Sequence, residues 1–367
     1  MPKFRFTEIA INSTEKKKPV EEDKFTYIGL EHLDSGTLTV SRWGSDIAPI
    51  GEKLVMKKGD VLFGKRRAYQ KKVGIAPFDG IFSAHGMVLR PREEVITKEY
   101  FPLFISSDYF LNEAIRISVG SLSPTVNWKD LKDLEFTIPS IEEQKRITPL
   151  IWAAIEAKNA YKEQIRCTDD LVKSQFIEMF GDETGNEHVI SDLFTLQMGK
   201  PPERKEPKYW NSNDYRWISI ADLGEYGKYT GNTKEYISQE AVDKSGIKLV
   251  PKNTVIMSFK LTIGRTAITS ENIYTNEAIM AFLPKKDVFN LDYLRHALGY
   301  KDWTAGMQIA VKGATLNKDI IGRATLPIPQ LALQQKFAAF AEQSDKSKLL
   351  IEYTVRKIRR FQYVYGS

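Results

Sequence analysis

Between residues 25 and 139 the apolar positions fall in short runs, broken by Gly, Pro and polar residues. Phe25-Thr26-Tyr27-Ile28, Asp60-Val61-Leu62-Phe63, Gly86-Met87-Val88-Leu89 and Leu134-Glu135-Phe136-Thr137-Ile138 read as strands. Each sets β-branched and aromatic side chains between turn formers, which favours extended chain. From Thr97 to Ile117 the apolar spacing becomes three and four, which predicts at least one helix packed on those strands. Residues 216–329 repeat the order, with strands near Trp217-Ile218-Ser219-Ile220 and Thr254-Val255-Ile256-Met257, then a helix from about Leu291 to Tyr300. The pattern predicts an α+β domain used twice.

After Ile138-Pro139 the texture changes. Glu142 to Phe180 contains no Gly, and its one Pro, Pro149, lies near the start. Ile147, Ile151, Ala154, Lys158, Tyr161, Ile165, Thr168, Val172, Gln175 and Met179 alternate four and three apart, the seam spacing of a coiled coil, and Gly181 follows as a stop. A second series, Phe337, Ala341, Ser344, Lys348, Ile351, Val355, Ile358 and Gln362, has the same register. A seam this polar suits two helices of one chain pairing with each other, antiparallel, more than an arbitrary partner. At ~1.5 Å per residue the first would be on the order of 58 Å long, a spacer as well as a glue. The alternative is two surface helices, each packed on its own domain.

The halves repeat at one offset. Thr125-Val126-Asn127 returns as Thr315-Leu316-Asn317, Gln144 as Gln334, Gly74 as Gly264 and Tyr27-Ile28 as Trp217-Ile218, each 190 residues on. A period this long is not a solenoid unit, which takes about 20–50 residues. It is a duplicated half-protein, a pseudo-twofold tandem repeat with domains at 1–139 and 182–329 and long helices at 140–181 and 330–367.

Hydrophobic content of 42% and charged content of 27% describe an ordinary globular chain, and a net charge of +6 leans modestly toward a polyanionic partner. Cys167, the single cysteine, excludes a disulfide within the chain and a multi-cysteine zinc site, and its helical setting suits a small hydrophobe. No apolar run reaches the ~18 residues of a membrane span, and Met1-Pro2-Lys3-Phe4-Arg5 lacks a secretory signal's apolar core, so a cytoplasmic setting is expected.

Signatures of catalysis fail one by one. His32, His85, His188 and His296 are scattered without an HExxH pair, and read as surface or partly buried side chains. There is no phosphate-binding GxxxxGK[ST] loop and no GxSxG elbow. Lys200-Pro201-Pro202-Glu203 has the prolines but neither the amide nor the aromatic of a DNA amino-methyltransferase loop, and reads as a turn. Asp133 with Glu143-Gln144-Lys145 spells a nuclease carboxylate cluster, but the second copy does not repeat it. No metal site and no catalytic residue is expected.

What the chain does offer is DNA-reading chemistry: cations for phosphates, and amide, hydroxyl and guanidinium groups for base edges. The first copy carries Lys65, Arg66, Arg67, Tyr69, Gln70, Lys71 and Lys72 between two strands, with little intrinsic structure expected there, and Ser83 and His85 on the next. The second carries Lys260, Thr262, Arg265 and Asn276, with Lys200, Arg204, Lys205 and Lys208 from an earlier segment. Matched frameworks with different loops suit two different short sequences.

The arrangement resembles the specificity subunit of type I restriction–modification systems over essentially the whole chain. The likeness rests on Gly59-Asp60-Val61-Leu62-Phe63 with Val73-Gly74, and on Ile138-Pro139 leading into Glu143-Gln144-Lys145-Arg146-Ile147. Val255-Ile256-Met257 with Ile263-Gly264, and Ile328-Pro329 leading into Gln334-Gln335-Lys336, repeat these phrases. The resemblance implies two target-recognition domains, each reading half of a split site in double-stranded DNA. The paired helices would set the gap, with a seam including Ile147, Ile151, Tyr161, Ile165, Val172, Phe337, Ile351, Val355 and Ile358. It implies two modification (methyltransferase) subunits as partners, bringing S-adenosylmethionine, and a restriction subunit bringing ATP-driven translocation, with Mg also on the partners' side and no cofactor here. The competing reading is a two-domain coiled-coil scaffold or adaptor that binds protein only.

Overall fold

A computed structural model describes residues 2–181, 186–303 and 316–365, with side chains through residue 349 and at Ile351. It divides into two compact units, Met1–Tyr161 with Tyr353–Ser367, and Lys162–Glu352.

The first unit is built on a four-stranded antiparallel sheet in the order Ala10–Ser13, Met87–Pro91, Val61–Phe63, Val73–Ile75. Val61, Leu62 and Phe63 are all buried, as a central strand covered on both faces requires. A second sheet runs Lys16–Lys17, Lys53–Met56, Gly80–Phe82, Tyr27–Ile28, its last pair parallel. Phe6, Phe63, Phe104, Phe110 and Phe136 fill the main core, with Phe6 and Phe110 centroids 5.1 Å apart. The helical stretch expected over 97–117 is two helices, Phe101–Ile105 and Asp108–Arg116. The break is at Ser106-Ser107, where the Ser107 hydroxyl donates to Phe104 O (2.6 Å) and accepts the Phe110 N–H (3.2 Å), capping the second helix.

The second unit repeats the sheet as Phe194–Met198, Ile279–Pro284, Val255–Ser258, Thr266–Ile268, beside a smaller one of Glu235–Ile237, Tyr215–Ile218 and Tyr274–Thr275. The strand expected through Ile220 stops at Ile218. Ser219 and Asp222 exchange bonds (Ser219 N–H to Asp222 Oδ2 2.9 Å, Asp222 N–H to Ser219 Oγ 3.2 Å) and open a short helix, Ile220–Leu223.

Strand register corrects the constant offset. Val61 faces Ile75 and Leu89, whereas Val255 faces Ile268 and Phe282, so the central strand lies 194 residues on. Gly74, opposite Leu62, therefore corresponds to Ala267, opposite Ile256, and not to Gly264. Connecting loops of different length cause the drift. Gly264 instead takes φ +85° in the following turn, where a side chain would be strained. The anchors Tyr27-Ile28 and Trp217-Ile218 keep equivalent places, each pairing in parallel with the strand after a hairpin. Asn127 and Asn317 both stand at the first position of short helices, where only the Asn317 side chain accepts a backbone N–H (Ile320, 2.9 Å), while Thr315 lies outside the described residues.

Two long helices complete the chain, Ile141–Phe180 (40 residues, with Pro149 inside) and Leu331–Tyr365 (35 residues). Gly181 ends the first: its N–H donates to Ile177 O at 2.7 Å, and a Cβ there would stand 2.5 Å from that oxygen. Cys167 is exposed on this helix rather than packed as a small hydrophobe, with its Sγ 3.7 Å from Glu163 Oε1.

Each long helix is fastened at its start by a fully buried glutamine. Gln144 Oε1 accepts the Thr97 N–H (2.7 Å), and its Nε2 donates to Val95 O and Pro139 O (both 2.9 Å). Gln334 repeats this with Asn290 N–H (2.8 Å), Val288 O (3.1 Å) and Pro329 O (2.8 Å). Gln144 therefore serves structure, which removes it from the nuclease spelling; Glu143 is taken by Arg146 at 2.6 Å. Gln144→Leu and Gln334→Leu should each destabilise their unit by roughly 2–4 kcal/mol, since three buried backbone groups lose their partner. Denaturant unfolding measures this; a loss under about 1 kcal/mol would show that the backbone groups find other partners.

Candidate nucleic-acid interface and helix seam

The basic segment of the first unit is the connection between strands Val61–Phe63 and Val73–Ile75, and it is ordered, contrary to expectation. The Gly64 N–H donates to Lys72 O (3.0 Å), Arg66 N–H to His85 O (3.2 Å) and Arg67 N–H to Pro124 O (2.7 Å). A 3-10 turn, Ala68–Gln70, sits between two left-handed residues, Arg67 (φ 55°) and Lys71 (φ 50°). Backbone bonds to two other loops thus hold the segment where its composition gives it no structure of its own.

This seating sorts the candidate side chains. Arg66, Arg67, Tyr69 and His85 are exposed; Arg66 Nη1 lies 3.4 Å from His85 Nε2, and Arg67 Nε donates to Ser123 Oγ at 3.4 Å. Burial, then the Arg66, Lys65 and Lys53 charges, hold the His85 imidazole below its ordinary range, so it favours the neutral form. Lys65 is half-buried, and burial, with the Lys16 charge, lowers its amine. Lys16 and Lys53 come from the second sheet; sequence reasoning missed them because only the fold brings them near. Three candidates have internal duties instead. Lys71 pairs with Asp108, Lys72 Nζ donates to Leu30 O (2.6 Å), and buried Ser83 accepts the His85 N–H (3.3 Å).

The second unit rebuilds the frame with different tips. Ser258 N–H donates to Arg265 O and Phe259 N–H to Ala278 O, both at 2.9 Å, the counterparts of the Gly64 and Arg66 bonds. Asn276 stands where Ser83 does: each donates its N–H to the parallel strand (Ile218 O and Ile28 O, both 3.0 Å) and accepts the N–H two residues on. Arg265 and Lys205 are exposed, and Lys260 is half-buried beside the Phe259 ring. Arg204 is a clamp: its guanidinium lies 3.8 Å from the Trp210 ring centroid and 4.8 Å from that of Trp217, and it pairs with Glu235. Lys200 Nζ donates to Ser245 O (2.7 Å) and Lys208 pairs with Glu240 (2.8 Å).

Of the seam residues, Ile147 and Ile151 are buried in the first unit's core and Tyr161 is partly covered. In the second unit Val172 and Phe337 share a core with Phe180 and Ala341, Ile351 is buried, and Ile165 is partly covered. The Phe176 and Phe337 rings meet at 5.3 Å, and Lys348 Nζ reaches Asp169 at 2.6 Å, so contacts run in opposite senses along the two helices within this unit. The side chains of Val355 and Ile358 lie outside the described residues.

Charge surrounds this second contact. Lys348 also holds Asp345 (3.0 Å), Asp345 meets Arg295 (3.4 Å), Arg295 Nη2 bonds His296 Nε2 (2.9 Å), and Asp292 pairs with Lys228 (2.5 Å). His296 is only 8% exposed, not a surface histidine, because it faces this network and the Phe337 ring. Burial, then the Arg295, Lys348 and Lys228 charges, push its imidazole down to about 2.

Among the described residues no helix is long and apolar enough to cross a membrane, and no group of three His, Cys, Asp or Glu side chains is placed to hold a metal ion.

Against known proteins, residues 6–166 and 185–358 match the family described as "Type I restriction modification DNA specificity domain", and the chain belongs to that family. The specificity subunit of type I restriction enzyme MjaIX of Methanocaldococcus jannaschii is 27% identical over 153 residues, 41% of this chain and 35% of that protein. That of EcoprrI from Escherichia coli is 25% identical over 144 residues, 38% of this chain and 35% of that protein. These alignments span about a third of the curated relatives' length. A chain from a structure of type I R-M complex assembly and conformational transition covers 100% of this chain and 96% of its own at TM-score 0.56 and 19% identity. The type I S subunit from M. genitalium gives TM-score 0.55 at 13% identity, covering 100% of this chain and 94% of that one. Both show the same fold.

The His296 shift sets a pH dependence. The folded ring resists protonation that the unfolded chain accepts below about 6.5, so its contribution is complete above that pH and is lost as pH falls toward 2. The second unit should lose up to ~1.4 kcal/mol per pH unit in that window. His296→Leu, the residue type at the equivalent Leu103, should flatten the slope in urea melts at pH 4.5, 5.5 and 6.5; an unchanged slope would assign it to other groups.

Proposed function

We propose that the chain is the DNA-recognition subunit of a type I restriction–modification complex, and itself carries out no chemistry. The observation that carries this reading is the duplicated hairpin frame. One pattern of backbone bonds, Gly64 and Arg66 in one unit and Ser258 and Phe259 in the other, presents Arg66, Arg67, Tyr69 and His85 in the first and Lys260 and Arg265 in the second. Equal frames with unequal tips suit two half-sites of different sequence, because base edges differ in the donors and acceptors they show. In this reading the domains at 1–139 and 182–329 read double-stranded DNA, and Lys65, Lys205 and Asn276 support the contact surface. Lys71, Lys72, Lys200, Arg204 and Ser83 hold the frame.

The helices at 140–181 and 330–367 set the gap between half-sites and offer docking surface to two modification subunits. Those subunits would bring S-adenosylmethionine for adenine methylation, and a restriction subunit would use ATP and Mg. The complex would work in the cytoplasm. The protein-only adaptor reading has no use for a hairpin edge that sets exposed Arg66 and Arg67 beside His85, whose imidazole burial and then the Arg66, Lys65 and Lys53 charges keep neutral.

Replacing Lys65, Arg66 and Arg67 together by Ala should weaken binding to duplex DNA and lower the slope of log affinity against log salt by about 2–3, at ~0.9 per lost phosphate contact. Anisotropy titrations between low and moderate salt measure it; an unchanged slope removes the hairpin from the interface. Deleting residues 159–162, about one helical turn, should change the gap tolerated between half-sites in a spacing-variant library. Unaltered spacing would refute the ruler role.

A further inference from the structure

Two leucines stand out because nothing accounts for their exposure. Leu122 is 91% exposed and Leu261 is 92% exposed, and both belong to the candidate DNA-reading edges. Leu261 follows Lys260 at the turn of the second hairpin, and it adopts φ 64°, a left-handed conformation that a Cβ-bearing residue with no polar side chain disfavours. Glycine would suit that backbone better, and a polar residue would suit that exposure better. Local bonds keep the turn in place: Thr262 N–H donates to Lys260 O (2.8 Å) and Gly264 N–H to Ser258 O (3.0 Å).

In the first unit the hairpin tip is cationic, and the leucine arrives from the neighbouring loop. The returning side of that loop is fastened to the first arm of the hairpin. The Arg67 N–H donates to Pro124 O (2.7 Å), Arg67 Nε donates to Ser123 Oγ (3.4 Å), and Val126 N–H donates to Lys65 O (2.9 Å). Leu122 therefore stands next to a residue bonded by Arg67, and Gly120 at φ 115° turns the chain into the loop tip. Ile50 is similarly exposed, on a loop of the second sheet where Gly51 O accepts from Lys53 Nζ (3.1 Å). Different loops thus deliver the same feature, an uncovered leucine close in the chain to a cation or its partner: Ser123, bonded by exposed Arg67, in one unit and half-buried Lys260 in the other.

We propose that Leu122 and Leu261 are wedge residues, each entering a base step of the half-site that its domain reads and partly unstacking it. Cations beside the wedge hold the phosphates flanking the opened step, and the apolar side chain leaves water for the stacked bases. A step that opens easily, pyrimidine followed by purine, would be favoured, which adds selectivity without a hydrogen bond to a base edge. The proposal rests on the DNA-reading role argued above.

The test uses the full chain. Duplexes are first selected from a random-sequence 40-bp pool, and 2-aminopurine is then substituted position by position in an enriched sequence. The intact protein should raise 2-aminopurine fluorescence at one step in each half-site. Leu122→Ala should abolish one signal and Leu261→Ala the other, and each should weaken binding about ten- to a hundredfold, the loss of one buried leucine. Leu261→Gly relieves the backbone and should melt no lower than the parent while still losing its signal; Leu261→Met should restore it. Signals unchanged in the Ala and Gly variants, with parental binding intact, overturn the wedge alone. A parent chain that retains no duplex from the pool overturns the DNA-reading role and the wedge with it.

Discussion

The constraint shared by both halves of this chain is a buried carboxamide that fixes the start of each long helix. At the first turn of each long helix a buried glutamine accepts one backbone N–H and donates to two carbonyls from two different segments. Glutamine supplies one acceptor and two donors on a stem long enough to reach them, which no carboxylate or lysine can do. Its partners at 95 and 97, and at 288 and 290, leave the main sheet's last strand, and its partner at 139 or 329 leaves the strand that leads into the helix. The helix start is thereby tied to both ends of the domain's path, not hung on a linker. Within each unit, helix start and sheet are therefore held in one fixed relation.

What the sequence disclosed was local. The helix Leu291–Tyr300 and the long helix from Ile141 follow from apolar spacing and from an absence of glycine, because neighbouring residues settle them. Where another segment decides, the pattern misleads. Ser107 breaks one helix by capping a second, and Asp222 ends a strand by closing a capping box. The offset of 190 holds at Tyr27-Ile28 and at the glutamines, but drifts to 193 or 194 between them, since loops are free to change length while strand register is not. Cys167 and His296 show the same limit: helical context says nothing about which face a neighbour covers.

The candidate site was legible as chemistry and not as availability. Arg67 and Lys71 sit four residues apart in one basic run, but only Lys71 finds a carboxylate, Asp108, 37 residues away. Arg204 has the context of a loop cation and the environment of a clamp, because Trp210 folds back from the next short helix while Trp217 and Glu235 arrive from two strands. Pairing of this kind depends on long-range contacts that a charge count cannot include. The exposed leucines escaped notice for the opposite reason. Apolar residues are assigned to cores by default, and Leu122 and Leu261 declare themselves only once the cores are seen to be full without them.

The two units share a frame yet hold their helices by different forces. In the first, Ile147, Ile151 and Ile155 pack into the domain core, and Trp152 Nε1 adds one bond to Glu99 O (3.1 Å). In the second, the helix positions matching Trp152 and Ile155 are Glu342 and Asp345, and Asp345 faces Arg295 and Lys348 where the first unit has apolar contact. Charge is a costly way to hold a covered contact: Arg295 Nε and Asp292 Oδ1 are buried there without a hydrogen-bond partner, and desolvation offsets much of the attraction. Packing is indifferent to geometry within limits, whereas an ion network is satisfied at few orientations. The second attachment therefore pays more desolvation than the apolar one, and its charged groups are satisfied at fewer orientations of the helix on its own unit.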